Sequence, residues 1–442
     1  MMSIQRKTLM NGYSLVVLFL VMRIGAQTAP AFAKGQPVVS VSTVAELYAA
    51  VNNSANKGMR VELAPGTYVL DPTKPNGGRL FLQGGMNLMG RNSYVDLDGD
   101  GVWDPRDPSS PDVFADPATE TILDASNITT ASTVGEDAVI FIGHRNRVER
   151  VTVKNYGGST LIGTTLDPAQ GGLQAEVIDC IVENSQRGVT LGHFGEALAG
   201  LNSRFTLERN IVRQHSVVGA FIFNLISAMD ARVHALLHHN RFYNNSIGLS
   251  VISGDAADNA EVEVVSQGNI AEQNQLGFYL IGGQDALPIG LPQGGNGGRL
   301  RFTSVADAIW NNVGVGGVFA AGAVRRGSLA EPSNDNEVRL QFLGTRFVKG
   351  EGSENRFGTS RMDLRVVGGF GGGADPGSGN AVEILIRQAM SDGTEGAFFI
   401  NAGDCLPEAP NKVTVIGSPV AFAHANDGVD IPPIECFSSP IP

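Results

Sequence analysis

The sequence is short of cations: 32 Lys plus Arg stand against 44 Asp plus Glu, a net charge of −12 over 442 residues. That disfavours nucleic-acid binding, because neutralising phosphates requires clustered cations. Aromatic residues make up only 7% of the chain and charged residues 17%, yet 42% is hydrophobic, enough to bury a large core and to exclude a globally disordered chain. The leucine-rich signature and the helical period of ankyrin-type repeats are both missing. No glycine-rich stretch leads into the Gly-Lys-Ser/Thr of a phosphate-binding loop. Glycine itself is plentiful, with 56 residues, about 13% against a usual share of about 7%. Many tight turns are implied, and the lack of a strict three-residue glycine period excludes collagen.

Long hydrophobic runs are also scarce. The one near the N-terminus, Ser14 to Met22, follows Arg6 and Lys7, precedes Pro30 and the small-residue site Ala31-Phe32-Ala33, and reads as an export signal cleaved after Ala33. Crossing a bilayer takes about 20 apolar residues, and Arg23 blocks any extension of this run. Cleavage removes three cations and no acid, so the mature net charge is −15. A secreted or periplasmic protein with no membrane span is expected. With only three cysteines, Cys405 and Cys436, 31 positions apart, either form a disulfide in that oxidising setting or remain two free buried thiols; Cys180 lies far from both.

The mature chain opens with Thr43-Val44-Ala45-Glu46, a capping box that starts a short helix on which Val44, Leu47, Ala50 and Val51 recur at helical spacing. Strand patterns follow at Met59 to Leu63 and Thr67 to Leu70. From about residue 147 the chain repeats: blocks 175–191, 203–222, 231–251 and 260–280 each carry an alternating strand, a polar corner, a short strand, a second corner, and a glycine leading a third strand. The glycines are Gly188, Gly219, Gly248 and Gly277, with a looser unit ending at Gly317. A period near 30 with three strands and no helix specifies a solenoid of stacked coils. In the third strands Val189 and Leu191, Ala220 and Ile222, Leu249 and Val251, and Phe278 and Leu280 share a parity and form inward columns. Cys180, Asn210, Asn240 and Asn269 share the first corner, where amides can bond from coil to coil as an asparagine ladder ending at Cys180.

These features resemble the right-handed parallel β-helix of the pectin lyase-like superfamily. The capping helix followed by Arg60-Val61-Glu62-Leu63-Ala64-Pro65-Gly66-Thr67-Tyr68 is similar to the cap and first coil of that family, and the Asn corners and Gly-led third strands match its repeat. The resemblance implies an all-β solenoid with an N-terminal capping helix. The resemblance covers roughly residues 38–420; with the export signal at 1–33, the organisation expected is a β-helix domain at 34–420 and a tail at 421–442 packed on the last coil. The superfamily holds lyases, hydrolases, epimerases, tailspikes and members without known chemistry, so fold does not fix activity.

The polygalacturonase acids and the paired arginines of pectate lyases have no counterpart in the coils. The catalytic candidates that remain are His193, an echo of a Gly-His motif, and Arg213 with His215, a possible charge stabiliser and base. The alternative is structural, with His215 equivalent to Asn184 and Asn244 in a polar corner. His234 and His238 lie about 13 Å apart on an extended strand, too far for one ion. They fit instead the outward columns Arg204, His234, Glu263 and Glu208, His238, Gln267. A calcium-type loop occupies 96–107: Asp96, Asp98, Asp100, Asp104 and Asp107 stand at loop positions 1, 3, 5, 9 and 12, Gly101 at the sharp turn, and Val102 where a carbonyl ligand belongs. The rival reading is a metal-free Asp/Gly turn. On the outward parity Phe221, Tyr279 and Phe319 are expected to share a column, either a platform for sugar rings or a surface beneath loops. The expectation is a secreted β-helix that binds extracellular polysaccharide. The alternatives are a polysaccharide lyase with a His/Arg site and a non-catalytic surface β-helix.

Overall fold

The computed structural model describes residues 35–92, 118–128, 137–165, 171–225, 228–255, 257–284, 295–312, 315–323, 334–349, 364–367, 379–387, 390–391, 398–401, 412–417 and 434–435. The export signal, the acidic loop at 96–107, Cys405 and Cys436 lie outside them.

The capping box forms: Thr43 Oγ1 accepts from the Glu46 N–H at 3.2 Å, and the Glu46 carboxylate accepts from the Thr43 N–H at 3.1 Å. Two otherwise orphaned donors are satisfied, and α1 (Val44–Asn52) begins there. Its buried stripe, Leu47, Tyr48, Ala50 and Val51, packs on the first-coil strands Arg60–Leu63 and Leu80–Phe81, covering strand ends that would otherwise be open. The chain then winds as a parallel β-helix. Two sheets of 13 and 18 strands collect its strands, and the described pairings are parallel except where Lys412–Gly417 meets Ile434–Glu435.

One coil shows how the sequence makes this happen. Strand Arg232–His238 alternates buried and solvent-facing residues, the short strand Arg241–Tyr243 follows, and Ile247–Asp255 completes the turn. Each corner bends at a residue with left-handed backbone angles: His239, Asn244 and Asn259 at φ 54°, 52° and 53°. Polar residues that can bond locally tolerate this region best. The inward columns form as the parity requires. Val189, Ala220, Leu249 and Phe278 pair in register, as do Leu191, Ile222, Val251 and Leu280, and all eight are fully buried. Each such large aliphatic or aromatic side chain contributes about 1.5–3 kcal/mol of burial.

The first corner carries a continuous file of hydrogen bonds. Asn210 Nδ2 donates to Asn240 Oδ1 at 2.9 Å and Asn240 Nδ2 to Asn269 Oδ1 at 2.9 Å, while each amide also donates to a first-strand carbonyl, Val177 for Asn210, Leu207 for Asn240 and Leu237 for Asn269. The file starts at the Cys180 N–H and reaches Asp307. A second file runs through the other corner: His215 N–H to Asn245, Asn245 to Asn274, and Asn274 to Asn312. This second file explains the glycines. A Cβ on Gly248 would lie 2.8 Å from the Gly277 carbonyl and 2.9 Å from Asn274 Nδ2, so only glycine clears the stacked amides.

One register here differs from expectation. Gly277 stacks on Gly316, not Gly317, because Leu276 pairs with Val315 and Phe278 with Gly317. A one-residue slip exchanges the faces of a strand. Phe319 therefore pairs with Leu280 in the inward column and is fully buried, against Phe342 at 5.3 Å between ring centroids.

Candidate functional site

The catalytic candidates lie on two paired strands of the wall. His193 ends the strand Ile181–Phe194 on its inward parity and is completely buried. Its Nδ1 lies 2.7 Å from Asn224 Oδ1 and its Nε2 2.6 Å from Ser203 Oγ. The Asn224 amide nitrogen donates to the Ala231 and Glu261 carbonyls, so Oδ1 is the acceptor and Nδ1 carries the proton. Ser203 in turn accepts from the Leu173 N–H. Burial pushes the His193 pKa down to about 4.

His215 is also buried, with Nε2 3.1 Å from the Val182 carbonyl and Nδ1 3.0 Å from Ser185 Oγ. A carbonyl only accepts, so the proton is on Nε2, and desolvation again pushes the pKa down to about 4. Its register partner is Ser185, and the residue that bonds it from the next coil is Asn245. This corrects the expected equivalence with Asn184 and Asn244, which occupy the left-handed position one residue earlier. His215's own coil carries one extra residue between this rung and Gly219, so counting back from the glycine pairs it one position too early. Arg213 points outward from the same strand as His215, and its Nε and terminal nitrogen hold Glu183 at 2.8 and 2.7 Å. The structure does not assemble Arg213 and His215 into a base and charge stabiliser.

The outward column of the third strands runs, in register, Phe81, Phe141, Gly163, Thr190, Phe221, Ser250, Tyr279, Val318. Phe319 does not belong to it. Phe221 is only 8% exposed and forms a second apolar cluster with Val218, Phe223, Leu225, Ile252, Ile281 and Ala320, against which Tyr279 packs half-buried. Of the two expectations for this column, the covered one fits Phe221 and its neighbours. Exposure returns at the first coil, where Phe81 is 40% exposed and stacks on Phe141 at 4.2 Å.

The open face is the first sheet. From Asn202–Glu208 to Ala381–Arg387 its outward residues reach solvent or lie half-exposed, apart from the buried Val265. The columns Arg204, His234, Glu263, Arg301, Arg339 and Glu208, His238, Gln267 are in register. Ion pairs cross it, and the guanidinium is outermost: Arg232 is 61% exposed and Arg301 48%, while their shared partner Glu261 is 15% exposed, at 3.5 and 3.0 Å. His234 Nδ1 meets Glu263 at 3.1 Å. Such exposed pairs add roughly 0–1 kcal/mol each, so the face is free to exchange partners. Among the described residues no group of His, Cys, Asp and Glu could hold a metal, and no helix is long and apolar enough to cross a membrane.

Two clusters escaped the sequence. Arg79, Asp137 and Tyr156 meet at the start of the third strands: Arg79 Nε donates to Asp137 at 2.9 Å and its terminal nitrogen to the Tyr156 hydroxyl at 3.1 Å, and Tyr156 donates to Asp137. Burial and the Asp137 carboxylate raise the Tyr156 pKa, so the phenol keeps its proton. Up to 77 residues separate these partners, outside the repeat. The second is Asp307, the buried acid at the end of the first file.

Fold and site together define a parallel β-helix with a polar, solvent-facing first sheet. No family model matches the chain and no curated protein matches it in sequence. Among solved structures it is similar to the A-module of the mannuronan C-5 epimerase AlgE4 from Azotobacter vinelandii, with 16% identity, a TM-score of 0.44, and coverage of 87% of this chain and 98% of that one. The A-module of AlgE6 from the same organism gives 13% identity, a TM-score of 0.43 and coverage of 88% and 97%. The pectate lyase Pel9A gives 10%, 0.37, and 84% and 79%.

Proposed function

We propose that the protein binds an extracellular polysaccharide along the outside of its solenoid and does not cleave it. The observation that supports this best is the sequestration of the groups able to move a proton: both ring nitrogens of His193 and of His215 are engaged inside the wall, and Arg213 is engaged by Glu183. General acid–base catalysis needs a group within reach of substrate. A linear polymer meets instead a repeating exterior, with strands about 4.8 Å apart bearing guanidinium, imidazole, carboxylate and hydroxyl groups suited to sugars. The setting is the secreted or periplasmic one expected from residues 1–33.

Calcium at Asp96, Asp98, Asp100, Val102, Asp104 and Asp107 belongs to the same proposal and rests on the loop's sequence. Calorimetric titration should detect binding that Asp96→Ala with Asp100→Ala removes; no heat at millimolar calcium ends that part.

The test is a panel of neutral and acidic glycans, read by retention, by absorbance of unsaturated products and by reducing ends. Retention without either product signal is expected, weakened in Arg301→Ala with Arg339→Ala. An unsaturated product lost in His215→Gln would replace this reading with a lyase, and no retention on any glycan would leave a structural β-helix.

A further inference from the structure

The first corner file changes chemistry at its C-terminal end. In three successive coils the rung is an amide whose oxygen accepts from the coil before and whose nitrogen donates to a first-strand carbonyl three positions before the preceding rung: Val177, Leu207 and Leu237. The second file obeys the same offset, to Val212, Phe242 and Ala271. At the next position of the first file stands Asp307, fully buried. Its Oδ1 accepts from the Asn269 N–H at 2.7 Å and from Asn269 Nδ2 at 3.2 Å, as an amide oxygen would. The register sets the Ser266 carbonyl as the acceptor for the donor that an asparagine would supply here, and a carboxylate has none. A protonated carboxyl does: it has one donor and one acceptor, the pattern of the missing amide.

The surroundings are adapted to an acid. In the inward column that carries Leu207 and Leu237, the next two coils place Ser266 and Ser304. Ser304 Oγ donates to Asp307 Oδ2 at 2.6 Å and touches Thr345 Oγ1 at 2.7 Å. The groups facing the carboxyl are Ser266 and Asn269 from the preceding coil, Ser304 from its own, and Thr345, reached through Ser304, from the following one. None is charged and none titrates near neutrality, so among the described residues no cation compensates an ionised Asp307.

We infer that Asp307 is a proton-operated rung: with its proton it supplies the donor that the other rungs supply, and without it the bonds from Asn269 remain but that donor is lost between the coil that begins at Glu261 and the one that begins at Arg299. Burial pushes its pKa up to about 6 against an ordinary value near 3.8, which places the switch in the mildly acidic range. The folded state then holds the proton more tightly than the unfolded chain. Stability from this group is full below about pH 4 and is lost as pH rises through 6, a change of about 100-fold in the folding equilibrium.

The experiment compares the full chain with Asp307→Asn, which keeps the amide pattern at every pH. The readouts are hydrogen exchange of the amides of strands Arg299–Val305 and Glu337–Leu343 and denaturant unfolding between pH 4 and 8. His193 and His215 are present in both chains and cancel in the ratio. The wild-type to variant ratio of equilibrium constants should fall about 100-fold across that range, and an infrared carboxylic-acid C=O band present only in the wild type should vanish near pH 6. A ratio independent of pH, or no such band at pH 5, overturns the inference. Should Asp307→Asn not fold, Ser304→Ala serves: removing a donor to the ionised form should move the band's midpoint to higher pH, and an unmoved midpoint is equally fatal.

Discussion

Replacing Asn240 with Leu tests the files most directly. The Asn240 side chain accepts from the Asn210 N–H at 3.0 Å and from Asn210 Nδ2 at 2.9 Å, and donates to the Leu207 carbonyl at 2.8 Å and to Asn269 Oδ1 at 2.9 Å. Asn210 Nδ2 retains Val177 and Asn269 Oδ1 retains the Asn240 N–H, so neither is stranded. The Asn210 N–H and the Leu207 carbonyl do lose these partners in a corner that water does not reach. The Leu207 carbonyl keeps its ladder donor from the facing strand, so one buried group is left unpaired; at about 1–3 kcal/mol for such a group the loss is about 1–3 kcal/mol, and leucine, with the same branching, leaves no cavity. Solenoids unfold by neighbouring units rather than all at once, so the assay is hydrogen exchange along strands Asn202–Glu208 and Glu261–Gln267 together with the guanidinium midpoint. Asn240→Asp separates hydrogen bonding from shape: it should approach wild type in acid, where the carboxyl carries its proton, and fall well below it at pH 8. Wild-type exchange and midpoint in Asn240→Leu would refute both the file and the register built on it.

Three further outcomes are expected. Because burial holds His193 and His215 near pKa 4, the unfolded chain takes up their protons first as pH falls below about 6.5; their contribution to stability is full above that and declines toward pH 4 by about 3 kcal/mol per histidine, opposite in sign to that of Asp307. His215→Asn, which matches the Asn245 rung, should flatten that slope in denaturant titrations, and an unchanged slope rejects the assignment. Gly248→Ala, forced against the Gly277 carbonyl and Asn274 amide at 2.8 and 2.9 Å, should cost about 1–3 kcal/mol as overpacking does; an unaltered melt would mean the corner gives way freely. If Cys405 and Cys436 are joined in the exported protein, native non-reducing mass analysis finds neither alkylated, and closing that loop stabilises the tail by about 3–4 kcal/mol; two alkylated thiols dispose of the bridge.

Much of the solenoid was legible because its signals are local and repeat. Thr43 and Glu46 lie three residues apart, and the inward parity of Val189 and Leu191 recurs in each following coil. Errors arose where the period slipped. The adjacent glycines Gly316 and Gly317 offered two anchors, and choosing the second turned Phe319 outward; one extra residue beside Val217 displaced the partners of His215 by one. Asp307 was hidden because the spacing to its rung jumps to 38 residues and its residue type breaks the asparagine pattern. Arg79, Asp137 and Tyr156 carry no sequence pattern at all, since their meeting depends on how the first coils stack. Exposure is a property of the finished surface, and so the closing of the column around Phe221 and Tyr279 could not be read from parity.

The two corner files also ration where this chain can change length. Within every coil from Cys180 to Asn312 the rungs of the two files stand five positions apart, while the spacing along the first file grows from 29 to 38 residues. All of that growth lies after the second corner, between the end of one third strand and the start of the next first strand, as from Gln284 to Arg299. An insertion at either file would displace an amide from its neighbours above and below, whereas one at the third corner leaves both files intact. Variation is thereby channelled to a single edge running the length of the solenoid, where new loops can be tried one coil at a time while the scaffold that presents them stays the same.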